Sequence, residues 1–389
     1  MKNTYGTSLS VTVFGESHGD YIGAVIDGIA PGIKIDKDYI NQKLALRRPY
    51  GKISTARVEQ DNYKIVSGVF EGYTTGTPLT VLIPNENTSS KDYSKLKDTP
   101  RPSHADFSAE CKYHGYQDYR GGGHFSGRVT AALVAAGAIL SSALESLGIK
   151  MGTHISRLHG ISDRGFENLA KDVEYLSDKI FPVLSPDAEE KMMREIENAH
   201  AAGDSVGGIL ESVILGLPAG LGEPWFDSVE SMISHILFSV GGIKGVEFGD
   251  GFKFADMLGS EANDPFTIDN GNIITKTNRN GGINGGITNG MPITVRCAVK
   301  PTPSIYKEQD TVSLSEKKNE KLRIEGRHDP AIIHRIRAVV DAALAISVAD
   351  MMCARYGTDI LSFTRLDATK DTKIYRRKAC EFDSLTAKG

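Results

Sequence analysis

The sequence Gly15-Glu16-Ser17-His18-Gly19 lies between two apolar segments, residues 9–14 and 22–29, and it has a counterpart later in the chain. The counterpart is Gly203-Asp204-Ser205-Val206-Gly207, which keeps both glycines and the serine. Without a gap, the match continues through Val25/Val213, Ile26/Ile214, Gly28/Gly216 and Gly32/Gly220. An ungapped match of this kind indicates an internal repeat.

A second pair of segments supports the repeat. Residues 68–81 and 282–295 share seven of fourteen positions, and a weaker match sets the alanine-rich residues 128–139 beside 335–346. All pairs occur in the same order. We therefore predict a single domain over residues 1–389, made of two similar halves, about 1–150 and 201–355, joined by an insertion at 151–200.

Each half has the pattern of strand, turn, strand, helix, strand and long apolar helix. Asp36 to Leu46 reads as a helix that ends before Pro49, and Asp227 with Glu230 resembles a capping-box helix start. The helices predicted at 129–147 and 338–352 are apolar nearly all round, as is typical of buried helices. The predicted fold class is α+β, internally duplicated.

The remaining segments are more polar. Residues 167–200 predict two charged helices, the second capped by Ser185 with Pro186 in its first turn, which we interpret as a solvated helical insertion. Residues 307–323 predict a charged loop or hairpin, and residues 368–389 a loose tail.

Composition limits the classes of function. The net charge of −4 among 389 residues gives no general basic character, so nucleic acid is not an expected partner. The longest uncharged run, residues 129–144, is shorter than the roughly 20 residues needed to cross a bilayer. The four cysteines show neither a disulfide framework nor zinc spacing. We expect a cytoplasmic protein without a membrane partner.

The motif Gly15–Gly19 also fits the Gly-x-Ser-x-Gly nucleophile turn of serine hydrolases. That turn leads from a strand to a helix, whereas Ser17 is followed by a second strand pattern, and the copy at Ser205 fits the same motif. A structural turn used twice is the simpler interpretation, and a hydrolase with Ser17 as nucleophile stays as the alternative. His18 is the part that the copy lacks, which makes it the candidate for chemistry.

Two other loops place a proton-transfer group beside an arginine, namely Arg101–Asp106, which contains His104, and Gly326–Pro330, which contains Asp329. Histidine can both donate and accept a proton near neutral pH. No metal-ligand spacing occurs, and the neighbouring arginines would repel a cation, so we expect no metal.

Arginine and lysine side chains are frequent in the loops rich in glycine and proline. Such clusters favour a small substrate with several carboxylate or phosphate groups. The glycine-rich residues 120–127 lead into the long helix at Arg128, and a helix N-terminus suits a phosphate. Neither a Walker A motif nor a Rossmann fingerprint is present.

Taken together, these segments resemble the chorismate synthase family. The resemblance covers most of the chain, and its motifs are Phe14–Gly19, Ser67–Gly72, Arg101–Asp106, Tyr119–Gly123, Pro218–Pro224, Lys244–Gly251, Gly281–Gly286 and Gly326–Pro330. It implies a lyase of the shikimate pathway for aromatic amino acids that removes phosphate from 5-enolpyruvylshikimate 3-phosphate by 1,4-trans elimination. It further implies reduced FMN, bound without net oxidation, and a homotetramer whose subunits sandwich long helices between antiparallel sheets.

The resemblance also implies roles for individual residues. His18 would act as the acid toward the departing phosphate, His104 would lie near the flavin, and Asp329 would help to remove the ring hydrogen. The substrate-binding candidates are Arg47, Arg48, Arg101 and Arg128. The cofactor-binding candidates are His124, Ser126, Gly242, Gly285, Lys300, Thr302, Ser304 and Arg327.

The chain departs from the family pattern at several positions. His124-Phe125 stands where Arg-Ser is common, so His124 would supply a pH-dependent charge, and Gly241-Gly242 replaces an Asn-Ala pair. Residues 331–335 replace a more proline-rich continuation. These departures concern flavin binding more than the reaction class. A flavin-binding protein without lyase activity is a further alternative. The source of electrons, either NADPH used directly or a separate flavin reductase, is left open.

Overall fold

A computed structural model of the chain describes residues 2–54, 60–86, 97–324, 326 and 328–363. The predictions for Arg327 and for the tail at 368–389 lie outside the described residues.

The strands are β1 (Thr4–Tyr5), β2 (Ser10–Gly15), β3 (Tyr21–Asp27), β4 (Lys64–Ser67), β5 (Val69–Phe70), β6 (Tyr73–Thr74), β7 (Leu79–Pro84), β8 (Lys150–Leu158), β9 (Ile161–Ser162), β10 (Gly208–Leu215), β11 (Ile243–Phe248), β12 (Phe266–Asp269), β13 (Asn272–Thr275), β14 (Ile283–Asn284), β15 (Ile287–Thr288), β16 (Ile293–Val299), β17 (Gln309–Ser313) and β18 (Lys318–Leu322). The α-helices are α1 (Lys37–Ala45), α2 (Asp106–Tyr113), α3 (Thr130–Ser146), α4 (Leu169–Leu176), α5 (Pro186–Ala201), α6 (Val229–Ser239), α7 (Gly259–Ala262) and α8 (Ile333–Tyr356).

Two antiparallel sheets repeat one strand order. The first sheet runs β1-β2-β3-β7-β4 and the second, read from the equivalent edge, β9-β8-β10-β16-β11. The elements that the two halves share follow one another in the same chain order: two long strands, a helix, a strand, a short hairpin, a strand and a long helix. The same connectivity in both sheets supports the predicted duplication.

The structure corrects the predicted insertion. Residues 151–162 were expected to belong to a helical segment, but they form most of β8 and all of β9. β8 pairs with β10 along its whole length and occupies the place that β2 holds in the first half. The insertion therefore lies inside the second half, between β9 and β10, and contains α4 and α5.

The insertion is also less solvated than expected. Val173 and Leu176 of α4, and Met192 and Ile196 of α5, are buried. These positions fall on one face of each helix, so α4 and α5 are amphipathic helices packed on the domain rather than a detached appendage.

The two long helices form the central layer. α3 packs against β3 and β7 of the first sheet, α8 packs against β8 and β10 of the second, and the helices pack against each other. At their closest approach a β-carbon on Gly137 would lie 2.4 Å from that of Ala342. Small residues thus allow the close contact that places both helices between the sheets, as expected for a sandwich. The prediction of an α+β fold with central long helices is confirmed.

The helix boundaries follow local signals, with small differences. The Asp36 side chain accepts a hydrogen bond from Tyr39 N at 2.9 Å and starts α1. α6 is capped by Ser228, one residue after the predicted Asp227, because the Ser228 hydroxyl accepts from Ser231 N. α8 begins five residues before the predicted start, since its first turns carry polar side chains that the apolar pattern leaves out.

The charged segment 307–323 contains the hairpin β17–β18, as predicted. One described helix, Gly127–Ser146, is long and apolar enough to cross a membrane by length and composition alone, and 67% of its most apolar window is buried inside the protein.

Candidate active site

A cavity of about 680 Å³ lies where the N-terminal ends of α3 and α8 meet the C-terminal end of α6. Its volume falls in the range typical of small-molecule sites. Residues from both halves line it, among them Thr130 at the start of α3, Ile336 on α8 and Gly242 after α6. The duplicated architecture therefore creates one site from two related sets of loops.

Cationic side chains are numerous in the cavity lining. All four arginines predicted to bind substrate line the cavity, namely Arg47, Arg48, Arg101 and Arg128. Lys97, Lys244 and Lys300 line it as well. This concentration of positive charge in a chain of net charge −4 suits an anionic ligand.

Arg47 and Arg128 share a carboxylate that the sequence analysis did not single out. Asp61 accepts from Arg47 Nη2 at 3.1 Å and also from Arg128 Nη1. The Asp61 side chain is only 1% exposed. Arg128 is fixed further by Asn85 Oδ1 at 2.9 Å and the Pro84 carbonyl at 3.0 Å. The two guanidinium groups are thus held in place before any ligand binds.

Arg101 is oriented within its own loop. Its Nε and Nη2 donate to the two carboxylate oxygens of Asp106, both at 2.8 Å. Burial alone would raise the pKa of Asp106, but the hydrogen bonds and charge of Arg101 outweigh it and lower that pKa. Asp106 is therefore ionised at neutral pH and keeps Arg101 directed along the cavity wall.

His104 lines the cavity with both ring nitrogens engaged. Nδ1 lies 3.1 Å from the Pro102 carbonyl and Nε2 lies 3.0 Å from Ser304 Oγ. Because a carbonyl can only accept, Nδ1 carries the hydrogen in the neutral ring and Nε2 accepts from the hydroxyl. Burial, and then the charge of Arg101, lower the pKa of His104 to about 4. His104 is therefore neutral at pH 7.

His18 lies just behind the glycine segment of the cavity wall. The ring is buried, and its Nδ1 lies 3.2 Å from Ser17 Oγ. Gly121, which does line the cavity, packs against it so closely that a β-carbon there would lie 2.3 Å from His18 Cε1. Gly121 to Gly123 all have positive φ, which glycine adopts without strain. Gly121 therefore makes room for the imidazole.

The serines of the two repeated turns do not have the geometry of nucleophiles. The Ser17 hydroxyl is buried and donates to the carbonyls of Arg120 and Gly121, at 3.1 and 3.2 Å. The Ser205 hydroxyl donates to the Thr302 carbonyl at 2.6 Å. A nucleophilic serine needs both a base and access to the substrate. Ser17 lies 3.2 Å from His18 Nδ1 but is buried, Ser205 has no imidazole in its turn, and neither serine lines the cavity. The structure therefore favours the interpretation of two structural turns.

Asp329 lines the cavity at the entrance to α8. Its Oδ2 accepts from Arg335 Nη1 at 2.6 Å, and Arg335 Nε donates to the Arg47 carbonyl at 2.8 Å. Arg335 was missed as a site residue. It connects the predicted base to the backbone of a predicted substrate-binding arginine.

The cofactor-binding candidates divide into two groups. Ser126, Gly242 and Lys300 line the cavity, and Ser304 contacts it through His104. The Lys300 ammonium donates to the Ser103 carbonyl at 2.7 Å, and burial and Lys244 lower its pKa. Thr302 lies between the lining residues Lys300 and Pro303, and its buried Oγ1 has no hydrogen-bond partner among the described residues.

Like Thr302 and Ser304, the candidates His124 and Gly285 are not lining residues of the cavity. His124 Nδ1 donates to the Gly15 carbonyl at 2.8 Å, so the ring is anchored to the first turn. Gly285 lies in the β14–β15 turn, and the Gly286 carbonyl accepts from Val229 N at the start of α6, the end opposite Gly242. In one chain, Gly285 therefore lies apart from the described cavity.

The cavity lining also contains many apolar side chains. Phe125 and Phe238 are 51% and 54% exposed and both line the cavity. The aliphatic side chains in the lining are Val240, Ile243, Ile332, Ile336 and Val339. Apolar and cationic lining residues in one cavity, with the unpartnered Thr302 hydroxyl next in sequence to the lining residue Pro303, fit a planar aromatic cofactor bearing a phosphate.

The chain is similar to known proteins over most of its length. A sequence model of the family described as chorismate synthase matches residues 9–353. A chorismate synthase of Pyrococcus abyssi (strain GE5 / Orsay) is 46% identical over 353 residues, covering 90% of this chain and 97% of that protein. One of Methanocaldococcus jannaschii is 46% identical over 366 residues, covering 90% and 96%. A crystal structure of chorismate synthase matches the fold with a TM-score of 0.73 at 27% identity, covering 97% of this chain and 99% of that one.

Proposed function

The chain belongs to the chorismate synthase family, and we propose that it converts 5-enolpyruvylshikimate 3-phosphate to chorismate by 1,4-trans elimination of phosphate, with reduced FMN as its cofactor. As a member of this family it is a lyase. The observation that carries the proposal is the convergence of Arg47, Arg48, Arg101 and Arg128 with His104 and Asp329 on one cavity. That substrate has two carboxylates and a phosphate, which four arginines can bind.

The arginines bind and orient the anionic groups. Arg47 and Arg128 are held side by side by Asp61, so they can receive one oxyanion without rearranging. Arg101, fixed by Asp106, offers its remaining N–H groups to another. Prepositioned donors of this kind lower the barrier because they need no reorganisation as charge develops.

In the reaction, the C–O bond to phosphate and one ring C–H bond break, and a C=C bond forms. His18 donates a proton to the departing phosphate, and the Asp329 carboxylate receives the ring proton. Arg335, at 2.6 Å from Asp329, keeps this carboxylate oriented for that role. Because His104 is neutral at pH 7, it serves as a hydrogen-bond partner or proton acceptor.

Reduced FMN, when bound, would supply electron density to the elimination and return without net oxidation. The residues that we propose to hold it are Ser126, Gly242, Lys300, Thr302 and Ser304, together with the lining residues Phe125 and Phe238. His124, Gly285 and Arg327 stay predictions from the resemblance.

The same proposal includes a homotetramer in the cytoplasm, in an aromatic biosynthesis pathway, with NADPH or a flavin reductase as the source of electrons. Trp225, Phe226 and Phe252 support assembly because these large apolar side chains are almost fully exposed in one chain. The free thiols of Cys111, Cys297 and Cys353 agree with a reducing compartment.

The test is an anaerobic incubation of the purified protein with chemically reduced FMN and the enolpyruvyl phosphate. Equal amounts of inorganic phosphate and chorismate are expected, with no activity when FMN is omitted. Ser17→Ala should lower turnover much less than His18→Ala, because Ser17 supports the turn whereas His18 is the proposed acid. Phosphate release that needs no flavin, or that disappears in Ser17→Ala but persists in His18→Ala, would restore the hydrolase alternative.

A further inference from the structure

The second repeated turn, residues 203–207, has no imidazole, but it makes contacts that the proposed reaction leaves unexplained. Its serine hydroxyl donates to the Thr302 carbonyl at 2.6 Å. Its first residue, Gly203, accepts from Tyr306 N at 3.0 Å. The turn thus holds both ends of the segment Thr302–Tyr306 by short hydrogen bonds to its backbone.

Two further contacts involve the same turn. Lys307 Nζ donates to Asp204 Oδ2 at 2.6 Å, although both side chains are largely exposed and such a pair contributes little stability. Val206 N donates to the Pro330 carbonyl at 2.9 Å, next to Asp329. The turn therefore contacts two segments: residues 302–307, which come before the β17–β18 hairpin, and Pro330, which lies between that hairpin and α8.

The segment held by the turn carries groups of the candidate site. Pro303 lines the cavity, and the Ser304 hydroxyl is the partner of His104 Nε2 at 3.0 Å. Two hydrogen bonds connect Ser205 to His104. The first joins the Ser205 hydroxyl to the Thr302 carbonyl, and the second joins the Ser304 hydroxyl, two residues further along the chain, to His104. Ser205 itself does not line the cavity.

The first turn makes the equivalent contacts in its own half. Ser17 N donates to the Gly123 carbonyl at 3.1 Å, the Ser17 hydroxyl donates to the carbonyls of residues 120 and 121, and His124 donates to the Gly15 carbonyl. In both halves the turn therefore fixes the loop that leads from the last strand of the sheet toward the long helix. Only the first turn adds His18.

We propose that the turn at residues 203–207 positions the segment Thr302–Tyr306 in the active site, and that Ser205 is a positioning residue acting on His104 through Ser304. This rests on the proposed function for its catalytic consequence. Its structural consequence, the fixed position of Ser304 beside His104, does not depend on turnover. Loss of the Ser205 hydroxyl leaves the Thr302 carbonyl without that donor and loosens the segment.

The test compares Ser205→Ala with Ser205→Cys, which keeps the size of the side chain but donates weakly, and with Ser205→Thr, which restores the hydroxyl. Ser177→Ala is the matched control, because the Ser177 hydroxyl donates to the Glu174 carbonyl at 2.8 Å at the exposed end of α4. Thermal unfolding of each variant establishes that it is folded.

The first readout is the titration of His104, followed by NMR of histidine labelled with ¹³C at Cε1 and assigned by its absence in His104→Gln. The charged groups that face His104 are Arg101, Asp106 and Lys300, and none of them is altered by these variants. In Ser205→Ala and Ser205→Cys we expect the midpoint to move up from about 4 toward the ordinary 6.5, because the ring gains access to water. Ser205→Thr and Ser177→Ala should titrate as the wild type does.

The second readout is kcat/KM for phosphate release, which should fall by about 10- to 100-fold in Ser205→Ala and Ser205→Cys because the catalytic group is misplaced. An unchanged His104 titration in folded Ser205→Ala or Ser205→Cys would overturn the positioning role. Failure of the wild type to release phosphate would instead overturn the proposed function, and the titration would still decide the role of Ser205.

Discussion

The imidazole of His18 packs directly against the backbone of Gly121, so that a β-carbon on residue 121 would lie 2.3 Å from His18 Cε1 and 2.6 Å from Nδ1. Gly121 also lines the cavity, whereas His18 lies behind it. The position of the proposed acid is therefore set by the absence of a side chain on its neighbour.

Gly121→Ala should displace His18 and lower turnover nearly as much as loss of the imidazole does. Removing a general acid typically costs about 100- to 10,000-fold in rate. Alanine at a φ of +58° adds a conformational cost of about 1–2 kcal/mol. Turnover reports the displacement of His18, and urea unfolding reports the conformational cost of alanine at residue 121, so measuring both separates the two effects.

Gly160→Ala is the control for Gly121→Ala. Gly160 also has positive φ, but a β-carbon there would meet nothing within 4 Å. We expect a similar loss of stability with normal turnover. Equal turnover in the two variants would show that the contact with His18 is unimportant.

Asp61→Asn should weaken both the fold and the binding of anions. Breaking a buried ion pair typically costs about 3–5 kcal/mol, because uncompensated charge remains, and here two arginines lose one carboxylate. Urea unfolding should show the loss of stability, and KM for the substrate should rise because Arg47 and Arg128 are no longer held together.

Asp118→Asn is the matched control for Asp61→Asn. Asp118 pairs with Arg120, whose side chain is 40% exposed, and exposed pairs contribute about 0–1 kcal/mol. A loss of stability in Asp61→Asn no larger than in Asp118→Asn would contradict the assigned role of Asp61.

His334 should make the protein less stable at acidic pH. It is buried at the start of α8, its Nε2 lies 2.8 Å from Ser54 Oγ, and burial together with Arg335 lowers its pKa to about 3. Between pH 6.5 and about 3 the unfolded chain binds a proton at this position and the folded chain does not. The neutral ring therefore makes its full contribution to the free energy of unfolding above pH 6.5. Between pH 6.5 and about 3, that free energy falls by about 1.4 kcal/mol for each pH unit.

His334→Gln removes the group that binds this proton in the unfolded chain and keeps a polar partner for Ser54. Urea unfolding at pH 6.5 and pH 5 should show a smaller loss of stability in the variant than in the wild type. His104 contributes in the same direction in both proteins, so its effect cancels from the comparison. Parallel losses would mean that His334 is protonated in the folded state.

Phe125→Ala should weaken flavin binding. The Phe125 ring lines the cavity and makes an edge contact with Tyr113 at 6.0 Å between ring centroids. Aromatic contacts contribute about 0.5–1.5 kcal/mol beyond buried area, so the dissociation constant of FMN should rise by about 2- to 10-fold. Quenching of FMN fluorescence on titration measures it. Tyr116→Ala, which removes an almost fully exposed ring, should bind FMN normally.

Features that depend on local pattern could be predicted from the sequence. The two long helices, the duplication and the cavity positions of Arg47, Arg101 and His104 follow from short motifs and apolar periodicity. The turn interpretation of Ser17 came from its copy at Ser205, and the carbonyl acceptors of both hydroxyls support it.

Features that depend on distant pairing could not be predicted. β8 belongs to the second sheet because it pairs with β10, but α4 and α5 separate the two strands in sequence, and the Gly-x-Ser-x-Gly match starts only after them. Asp61 carries no local signal either. Its importance comes from the meeting of Arg47 and Arg128, and Arg128 lies 67 positions away in the chain.

The most direct test of the central claim is a single-turnover measurement of phosphate release under anaerobic conditions, with reduced FMN and excess enzyme. The wild type should form one chorismate per phosphate, and His18→Ala and His104→Ala should each release phosphate about 100- to 10,000-fold more slowly. Wild-type rates in both variants, or phosphate released without chorismate, would contradict the assignment of this cavity as the elimination site.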